Sequence, residues 1–328
     1  MGITIKDIAK IAGVSYSTVS KALNDSPLVK KDTKKKIVKI ADELGYEPNF
    51  AAQRLVSKQT KIIGLIWPTI ERVVLSTLVT KINNKINKTP YSMILSVEST
   101  ETALDTFRKF QVDGIILFEE NSKPSIRQTT IPLISYGVAK ERDVEYPIID
   151  ANHEQAMYQA VKHLYELGHR DIAYIGDLSS TDPMQAEKYN GFMKAMEQYM
   201  LSIEDINMID TGGLDWYNGY AATKKRFENP TYPTAIVGGS YDISSGIIRG
   251  IKEIGLDIPR DVSIISYDNI PQMANTEIPL TCIGVPVERL AEEIVQSIIH
   301  CIEEKNITSN VKKMSPILVE RASCEKRK

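Results

Sequence analysis

The stretch GVSYSTVSKALN, residues 13–24, carries an unusual number of side chains that form hydrogen bonds. Three serines, a threonine and a tyrosine lie among few apolar residues, and Lys21 stands near the end. Hydroxyl and ammonium groups at the front of an exposed helix suit contacts with phosphate oxygens and with base edges in a DNA major groove. The segment therefore predicts a helix that binds nucleic acid rather than one that packs in a core.

The remaining titratable residues offer little catalytic chemistry. Cys282, Cys301 and Cys324 are too scattered for a C-x-x-C site, and the four histidines show neither H-x-x-x-H nor H-E-x-x-H spacing. No nucleophile, base and orienting residue form a recognisable set. We predict that the protein is not an enzyme and uses no metal or cofactor.

Charge is distributed unevenly along the chain. Residues 1–60 contain eleven Lys or Arg and six Asp or Glu, a net of +5, whereas residues 61–328 contain 29 and 36, a net of −7. This asymmetry indicates a polyanion-binding module on a carrier, although a merely solvated lysine-rich helix gives the same count. We find no signal-peptide pattern and no apolar run of about 18 residues, so we expect a cytoplasmic protein that does not enter a membrane.

Three short helices are predicted in the first 48 residues. Thr4 and Asp7 have the spacing of a capping box, and Gly13 ends the first helix. Ser15 can cap the second helix, and a third covers residues 32–44. Two short helices joined at a glycine and covered by a third fit a helix-turn-helix, while a generic small helical bundle with a polar face fits the same pattern.

From Lys61 onward, strands alternate with helices. Helix-like stretches at 73–88, 152–167, 242–255 and 287–305 lie between apolar runs such as KIIGLIW, DGIILF, RDIAYIG and VSIISYD. This alternation predicts a parallel α/β fold with two Rossmann-like lobes. Ligands of such sheets bind beyond the carboxyl ends of the strands, where Asp150 and Asp268 either contact a ligand or are plain loop carboxylates. The other candidates at strand ends are Trp67, Asp177 and Tyr241.

Long, ordered motifs carry a family resemblance. The chain resembles the lactose-repressor (LacI/GalR) family of bacterial transcription regulators over the run from TIKDIAKIAGVSYSTVSKALN to TKKKIVKIADELGYEPNFAAQRLVSKQTKIIGLI. The likeness extends to three later blocks, LYELGHRDIAYIG, IPRDVSIISYDNIP and PLTCIGVPVERLAEE. The resemblance implies an all-α helix-turn-helix headpiece at 1–48, a hinge helix and linker at 49–60, and a periplasmic-binding-protein-like effector domain of two lobes at 61–328. Lobe one is expected at about 61–151 and 284–308, and lobe two at about 152–283 and 309–328.

The resemblance also implies DNA contacts. Tyr16, Ser17 and Lys21 are expected to read operator bases, with Lys21 replacing the arginine of most relatives and losing its two-pronged hydrogen bonding. Leu55 of the hinge helix is expected to wedge into the minor groove and kink the DNA. The other contacts expected are Thr4, Ser15, Thr18, Ser20, Asn24, Asn49, Ala52 and Gln53.

In the effector domain, the resemblance implies a pocket for a small carbohydrate-like molecule. Asp268 matches the acid that holds the effector, and Trp216 matches the aromatic residue that stacks on it, although Trp216 can also be a lid residue packed on its own lobe. Lys188 replaces the usual arginine, and its ammonium would tolerate a carboxylate or phosphate on the effector. The remaining pocket residues expected are Asp150, Ser240 and Tyr241.

These features predict a homodimeric repressor of carbohydrate-metabolism genes that binds a pseudo-palindromic operator under allosteric control. We find no leucine heptad after SPILVERAS, so we expect a dimer rather than a tetramer. The helix at 73–88 either contributes to the dimer interface or packs only on its own sheet. Three alternatives are a catabolite-control-type regulator that answers to a phosphorylated carrier protein, an enzyme on the same scaffold, and a transport sugar-binding protein.

Overall fold

The structure is a computed structural model that describes residues 3–23, 25–46, 59–120, 124–126, 128–138, 144–203, 205–304 and 309–327. The chain divides into two compact units, Met1–Thr60 and Lys61–Lys328. The predicted hinge helix lies outside the described residues. Five of the expected DNA contacts therefore stay predictions, namely Asn24, Asn49, Ala52, Gln53 and Leu55.

The first unit contains the three predicted helices, α1 (Ile5–Ala12), α2 (Tyr16–Leu23) and α3 (Lys31–Glu43). At the start of α1, the Asp7 carboxylate accepts hydrogen bonds from the backbone N–H and the hydroxyl of Thr4, at 2.9 and 2.7 Å. Gly13 ends α1 at φ 71°, a backbone conformation that favours glycine. A small apolar core joins the helices and consists of Ile8, Ala9, Ala12, Val19, Ala22, Ile37 and Ala41. The helix-turn-helix prediction is confirmed.

The first lobe of the second unit is built on a six-stranded sheet whose described pairs are all parallel. The strands are β1 (Ile62–Ile66), β2 (Ser92–Ser96), β3 (Gly114–Glu119), β4 (Leu133–Gly137), β5 (Ile148–Asp150) and β11 (Val311–Lys313), in the order β11–β5–β4–β3–β1–β2. The helices of this lobe are α4 (Val73–Ile86), α5 (Thr100–Phe110) and α10 (Val287–Glu303). Every residue of β3 and β4 is buried, as expected for strands with helices on both faces.

The second lobe repeats this architecture. Its strands are β6 (Ile172–Gly176), β7 (Met208–Asp210), β8 (Ala235–Gly238), β9 (Ser263–Asn269), β10 (Thr281–Pro286) and β12 (Ile317–Val319), in the order β12–β10–β9–β8–β6–β7. Only the β10–β12 pair is antiparallel among the described pairs. Its helices are α6 (His153–Glu166), α7 (Pro183–Gln198), α8 (Trp216–Arg226) and α9 (Tyr241–Glu253). The two-lobed α/β prediction is confirmed.

The chain passes between the lobes three times, from β5 to α6, from β10 to α10 and from β11 to β12. Two expected lobe boundaries differ from this topology. The boundary at 284 falls inside β10, and the segment expected to begin lobe two at 309 first pairs with β5 of the first sheet. The three residues of β11, VKK, are exposed and largely charged, so the sequence carries no apolar signal for this strand.

Helix α4 bears on the question of self-association. Leu75, Leu78 and Ile82 are buried in the core of their own lobe, so packing on the sheet accounts for them. Val73 and Val79 are only partly buried. Together with Val74, which is also partly buried, they are the apolar residues of α4 that its own lobe leaves incompletely covered.

Candidate functional site

The exposed face of α2 forms the first candidate site. Tyr16 is 49% exposed, Ser17 and Lys21 are also exposed, and only Val19 and Ala22 of this helix are buried. Because the two buried residues hold the helix on the core, the polar side chains project outward. Among the described residues of this unit, Lys21 has no ion-pair partner. This is the arrangement that the sequence predicts for a helix that reads DNA.

The first turn of α2 concentrates hydroxyl groups. Ser15 Oγ accepts a hydrogen bond from the backbone N–H of Thr18 at 3.2 Å and lies 2.8 Å from the Thr18 hydroxyl and 3.0 Å from the Ser17 hydroxyl. Ser15 therefore caps the helix, as predicted. Free backbone N–H groups and hydroxyls at a helix N-terminus bind phosphate oxygens. Ser20 is half-buried, and its hydroxyl lies on the same short helix.

Not every lysine of the basic unit is available to DNA. Lys36 Nζ donates to the carbonyl of Ala12 at 3.0 Å, so it stabilises the end of α1. Lys34 forms an ion pair with Asp25. Lys34 and Lys36 thus have structural partners, whereas Lys21 of α2 stays exposed.

The second candidate site is the cleft between the two lobes. Asp268, near the end of β9, has a backbone φ of 85°, which is uncommon for a residue with a side chain and is often found at functional sites. Its Oδ2 accepts a hydrogen bond from the backbone N–H of Tyr241 at 2.9 Å, and the Tyr241 ring packs on the hydrophobic core. Burial raises the pKa of Asp268, and the nearby charge of Lys188 opposes that change.

Lys188 reaches this cleft from α7. Its Nζ donates to the carbonyl of Gly239 at 2.9 Å and to Oε1 of Gln185 at 3.3 Å, and it stands 4.2 Å from the centroid of the Tyr267 ring. Burial lowers the pKa of Lys188 to about 8, while Asp268 acts in the opposite direction. A buried ammonium beside a carboxylate can donate to a ligand oxygen that replaces one of its present partners.

The remaining predicted pocket residues have different environments. Ser240 is buried and its Oγ accepts from the N–H of Ile243 at 3.3 Å, so this hydroxyl caps α9. Asp150 is fully buried where β5 crosses to the second lobe, with Oδ1 bonded to the N–H of Asn152 and Oδ2 3.8 Å from Lys313 Nζ. The Trp216 ring is 51% exposed and contacts the rings of Tyr217 and Tyr220 on its own helix.

Sequence reasoning missed two cleft residues, Arg72 and Asp242. Asp242 Oδ1 accepts from the backbone N–H of Val73 at 3.4 Å, a hydrogen bond that joins α9 of lobe two to the start of α4 in lobe one. Burial raises the pKa of Asp242 to about 6, the charge of Asp268 adds to this, and Arg72 opposes it. The signal for both residues is their position: Arg72 follows β1 and Asp242 follows β8, each beyond the carboxyl end of a parallel strand.

One cavity lies between the two lobes. A cavity of about 40 Å³ is lined by Val74, Leu75 and Tyr136 of lobe one and by Tyr267, Asp268 and Asn269 of lobe two, among others. One water needs roughly 10–15 Å³, so the cavity holds a few waters and not a sugar. A sugar-sized ligand needs more room than this cavity provides.

Within the described ranges, no group of three or more His, Cys, Asp or Glu side chains is arranged to hold a metal ion. The same ranges contain no helix that is both long and apolar enough to span a bilayer.

A helix-turn-helix unit followed by a two-lobed α/β domain defines a DNA-binding transcription regulator. Residues 4–49 match the family model described as bacterial regulatory proteins, lacI family, and residues 161–324 match the one described as periplasmic binding protein-like domain. The chain belongs to the LacI family of bacterial regulatory proteins. The resemblance inferred from the sequence is confirmed.

Similar proteins cover nearly the whole chain. A transcriptional repressor named PurR from Glaesserella parasuis serovar 5 (strain SH0165) is 32% identical over 98% of both chains. Catabolite control protein A from Priestia megaterium is 30% identical over 88% of this chain and 92% of its own length. The fold matches the crystal structure of the lac repressor dimer bound to operator and the anti-inducer ONPF, with a TM-score of 0.83, 24% identity, and coverage of 99% of this chain and 100% of that one.

Proposed function

We propose that this regulator binds a pseudo-palindromic operator as a homodimer and represses genes of carbohydrate metabolism. The observation that carries the proposal is the outward polar face of α2, where Tyr16, Ser17 and Lys21 project from a helix anchored by Val19 and Ala22. Similarity to a protein named as a repressor, and to a repressor dimer solved on its operator, supports the same role for this chain. Two copies of α2 would then enter successive major grooves of one operator.

Self-association through α4 and α10 is consistent with their packing. Lys81 pairs with Glu288 at 2.7 Å and Lys85 with Glu292 at 3.0 Å, so ion pairs link the two helices along their length. A two-fold interface built on these helices would use the same surface on both subunits. The partly buried Val73 and Val79 would gain cover there.

The cleft is the proposed effector site, and its chemistry favours a small polyhydroxylated molecule. The carboxylate of Asp268 can accept hydrogen bonds from hydroxyl groups, and the Lys188 ammonium can donate to ligand oxygens. An effector held by groups of both lobes would change the equilibrium between open and closed cleft. The change would reach the operator through the segment at 49–60, where we predict the hinge helix.

DNase footprinting on the DNA upstream of this gene and its neighbours tests the proposal. We expect protection of one interrupted palindrome by the wild-type protein, and a change of that protection when a member of a sugar panel is added. Footprints without two-fold symmetry would contradict the dimer, and an operator complex that no sugar or polyol affects would contradict the effector class.

Similarity to Catabolite control protein A supports a second candidate, a regulator that answers to a phosphorylated carrier protein. Such a partner needs unpaired cationic side chains to contact its phosphate. On α4, Lys81 and Lys85 are already paired with carboxylates of α10, which weakens that face as a phosphate site. Calorimetry with the phosphorylated carrier and with sugars in parallel separates the two candidates.

A further inference from the structure

Among the buried polar atoms that lack a hydrogen-bond partner in the described residues, two stand on opposite lobes at the cleft. They are Nε of Arg72, which directly precedes α4 of lobe one, and Oδ2 of Asp242, in the first turn of α9 of lobe two. Buried donors and acceptors are nearly always satisfied, because an unmade hydrogen bond in the interior is unfavourable. An exception in a binding cleft therefore indicates a partner that is supplied from outside the chain.

The two atoms belong to one small region. The hydrogen bond from the Val73 N–H to Asp242 Oδ1, at 3.4 Å, places the carboxylate beside the residue that follows Arg72. The charge of Arg72 also acts on Asp242 and on the neighbouring Asp268. Each unsatisfied atom comes from a different lobe, so a group that bonds to both would link the lobes.

The polarity of the two atoms selects the ligand group. The guanidinium Nε–H only donates and an ionised carboxylate oxygen only accepts. A ligand carboxylate would suit Arg72 but would meet the charges of Asp242 and Asp268, and a ligand ammonium would suit Asp242 but not Arg72. A hydroxyl has one donor and two acceptor lone pairs, and it can satisfy both.

We propose that Arg72 and Asp242 form a hydroxyl-binding pair across the cleft, in which one effector hydroxyl accepts from Arg72 Nε and donates to Asp242 Oδ2. The inference rests on the proposed function, because it names the group of the sugar-like effector that both lobes recognise. The lobes would part to admit the effector and would close on this hydroxyl. Arg72 and Asp242 are then specificity-determining residues that tie effector recognition to closure.

The test begins with isothermal titration of the wild-type protein with D-ribose, D-glucose, D-cellobiose, D-gluconate and D-glucuronate. For the tightest binder, the same titration is repeated with its monodeoxy derivatives and with Arg72→Met and Asp242→Ala. A hydrogen bond to a charged group is worth about 1.5–3 kcal/mol, so we expect each variant to weaken binding by about 10- to 100-fold. One deoxy derivative should bind the wild type as weakly as the parent sugar binds the two variants. The affinity of that derivative should not fall further in either variant.

Matched control substitutions lie at the far end of α9. Arg249 and Glu253 form a surface ion pair, with 2.6 Å between Nε and Oε1, and Arg249→Met and Glu253→Gln should leave the dissociation constant within about twofold. If the sugar binds both cleft variants as tightly as it binds the wild type, and every deoxy derivative also binds normally, the inference is overturned and the proposed function stays in place. If no sugar binds the wild type, the proposed effector class and the inference both fail. The deoxy series on the wild type requires no variant to fold.

Discussion

Gly246 lies where α9 crosses α8, and replacing it with alanine should separate the two helices. A methyl carbon built at Gly246 overlaps the backbone carbonyl oxygen of Trp216 and lies 2.5 Å from the backbone nitrogen of Tyr220. Backbone atoms cannot rotate away as a side chain can, so the helices must shift by roughly 1 Å. Overpacking typically costs about 1–3 kcal/mol, and alanine gains about 1 kcal/mol over glycine in helix propensity. Because two backbone groups are in the way, we expect a net loss of about 2 kcal/mol.

Urea unfolding followed by circular dichroism measures this loss, and Gly250→Ala is the matched control. At Gly250 the added carbon lies 3.0 Å from the side chain of Thr223, and the nearest backbone atom given, the Tyr220 carbonyl oxygen, is at an ordinary contact distance of 3.5 Å. The change in unfolding free energy should therefore stay within about 0.5 kcal/mol. A displaced α9 would also move Ser240 and Asp242, so Gly246→Ala should blunt the effector response more than operator binding. If Gly246→Ala is as stable as the wild type, the close packing of α8 on α9 is wrong.

Three further predictions concern the two sites. Lys36→Met should lower the free energy of unfolding of the helix-turn-helix unit by less than about 1 kcal/mol, because the hydrogen bond to Ala12 is lost. The variant should prefer the same DNA sequence as the wild type. An altered preference in operator selection would refute the structural role of Lys36. Asp242 has a folded-state pKa of about 6, above its ordinary value, so its contribution to stability is present at low pH and is lost as the pH rises through about 6. Asp242→Asn should therefore stabilise the protein at pH 7 by about 1–2 kcal/mol, allowing for partial solvent screening. The same variant should flatten the pH profile of urea unfolding between about pH 4 and 6. A variant that is less stable than the wild type at pH 7 would contradict the buried charge. Asp268→Asn should weaken effector binding in calorimetry while leaving operator affinity unchanged, and Trp216→Ala tests whether the half-exposed ring takes part; an effector affinity unchanged in both would place the site elsewhere.

Local patterns in the sequence predict most of the fold. The apolar strand runs and the helices between them appear close to their expected places because parallel strands buried on both faces need continuous apolar segments. The headpiece helices follow from short-range signals, such as the Ser15 cap and the left-handed Gly13. Strand β11 was not predicted, because its three exposed residues carry no apolar pattern. It is stabilised instead by pairing with β5, which is distant in the sequence.

The cleft was less predictable, because its chemistry depends on contacts between distant parts of the chain. Nothing near Asp242 in the sequence shows that its carboxylate meets the N–H of Val73. The resemblance likewise placed Ser240 in the pocket; its hydroxyl caps α9, and its contact with an effector stays a prediction. Lys188 was expected to grip an effector, and it stands beside Asp268 with its ammonium already bonded to Gly239 and Gln185.

The most direct test of the account is selection of operator sequences from a random DNA pool by the wild type and by Lys21→Ala. We predict that the wild type enriches one pseudo-palindrome and that Lys21→Ala relaxes the preference at a single base pair in each half-site, with a cost of about 1–3 kcal/mol per half-site. Lys34→Ala is the control, because Lys34 lies on α3 and its ammonium is already paired with Asp25, and it should keep the wild-type preference. No enriched palindrome, or identical preferences for wild type and Lys21→Ala, would contradict the assignment of α2 as the helix that reads DNA.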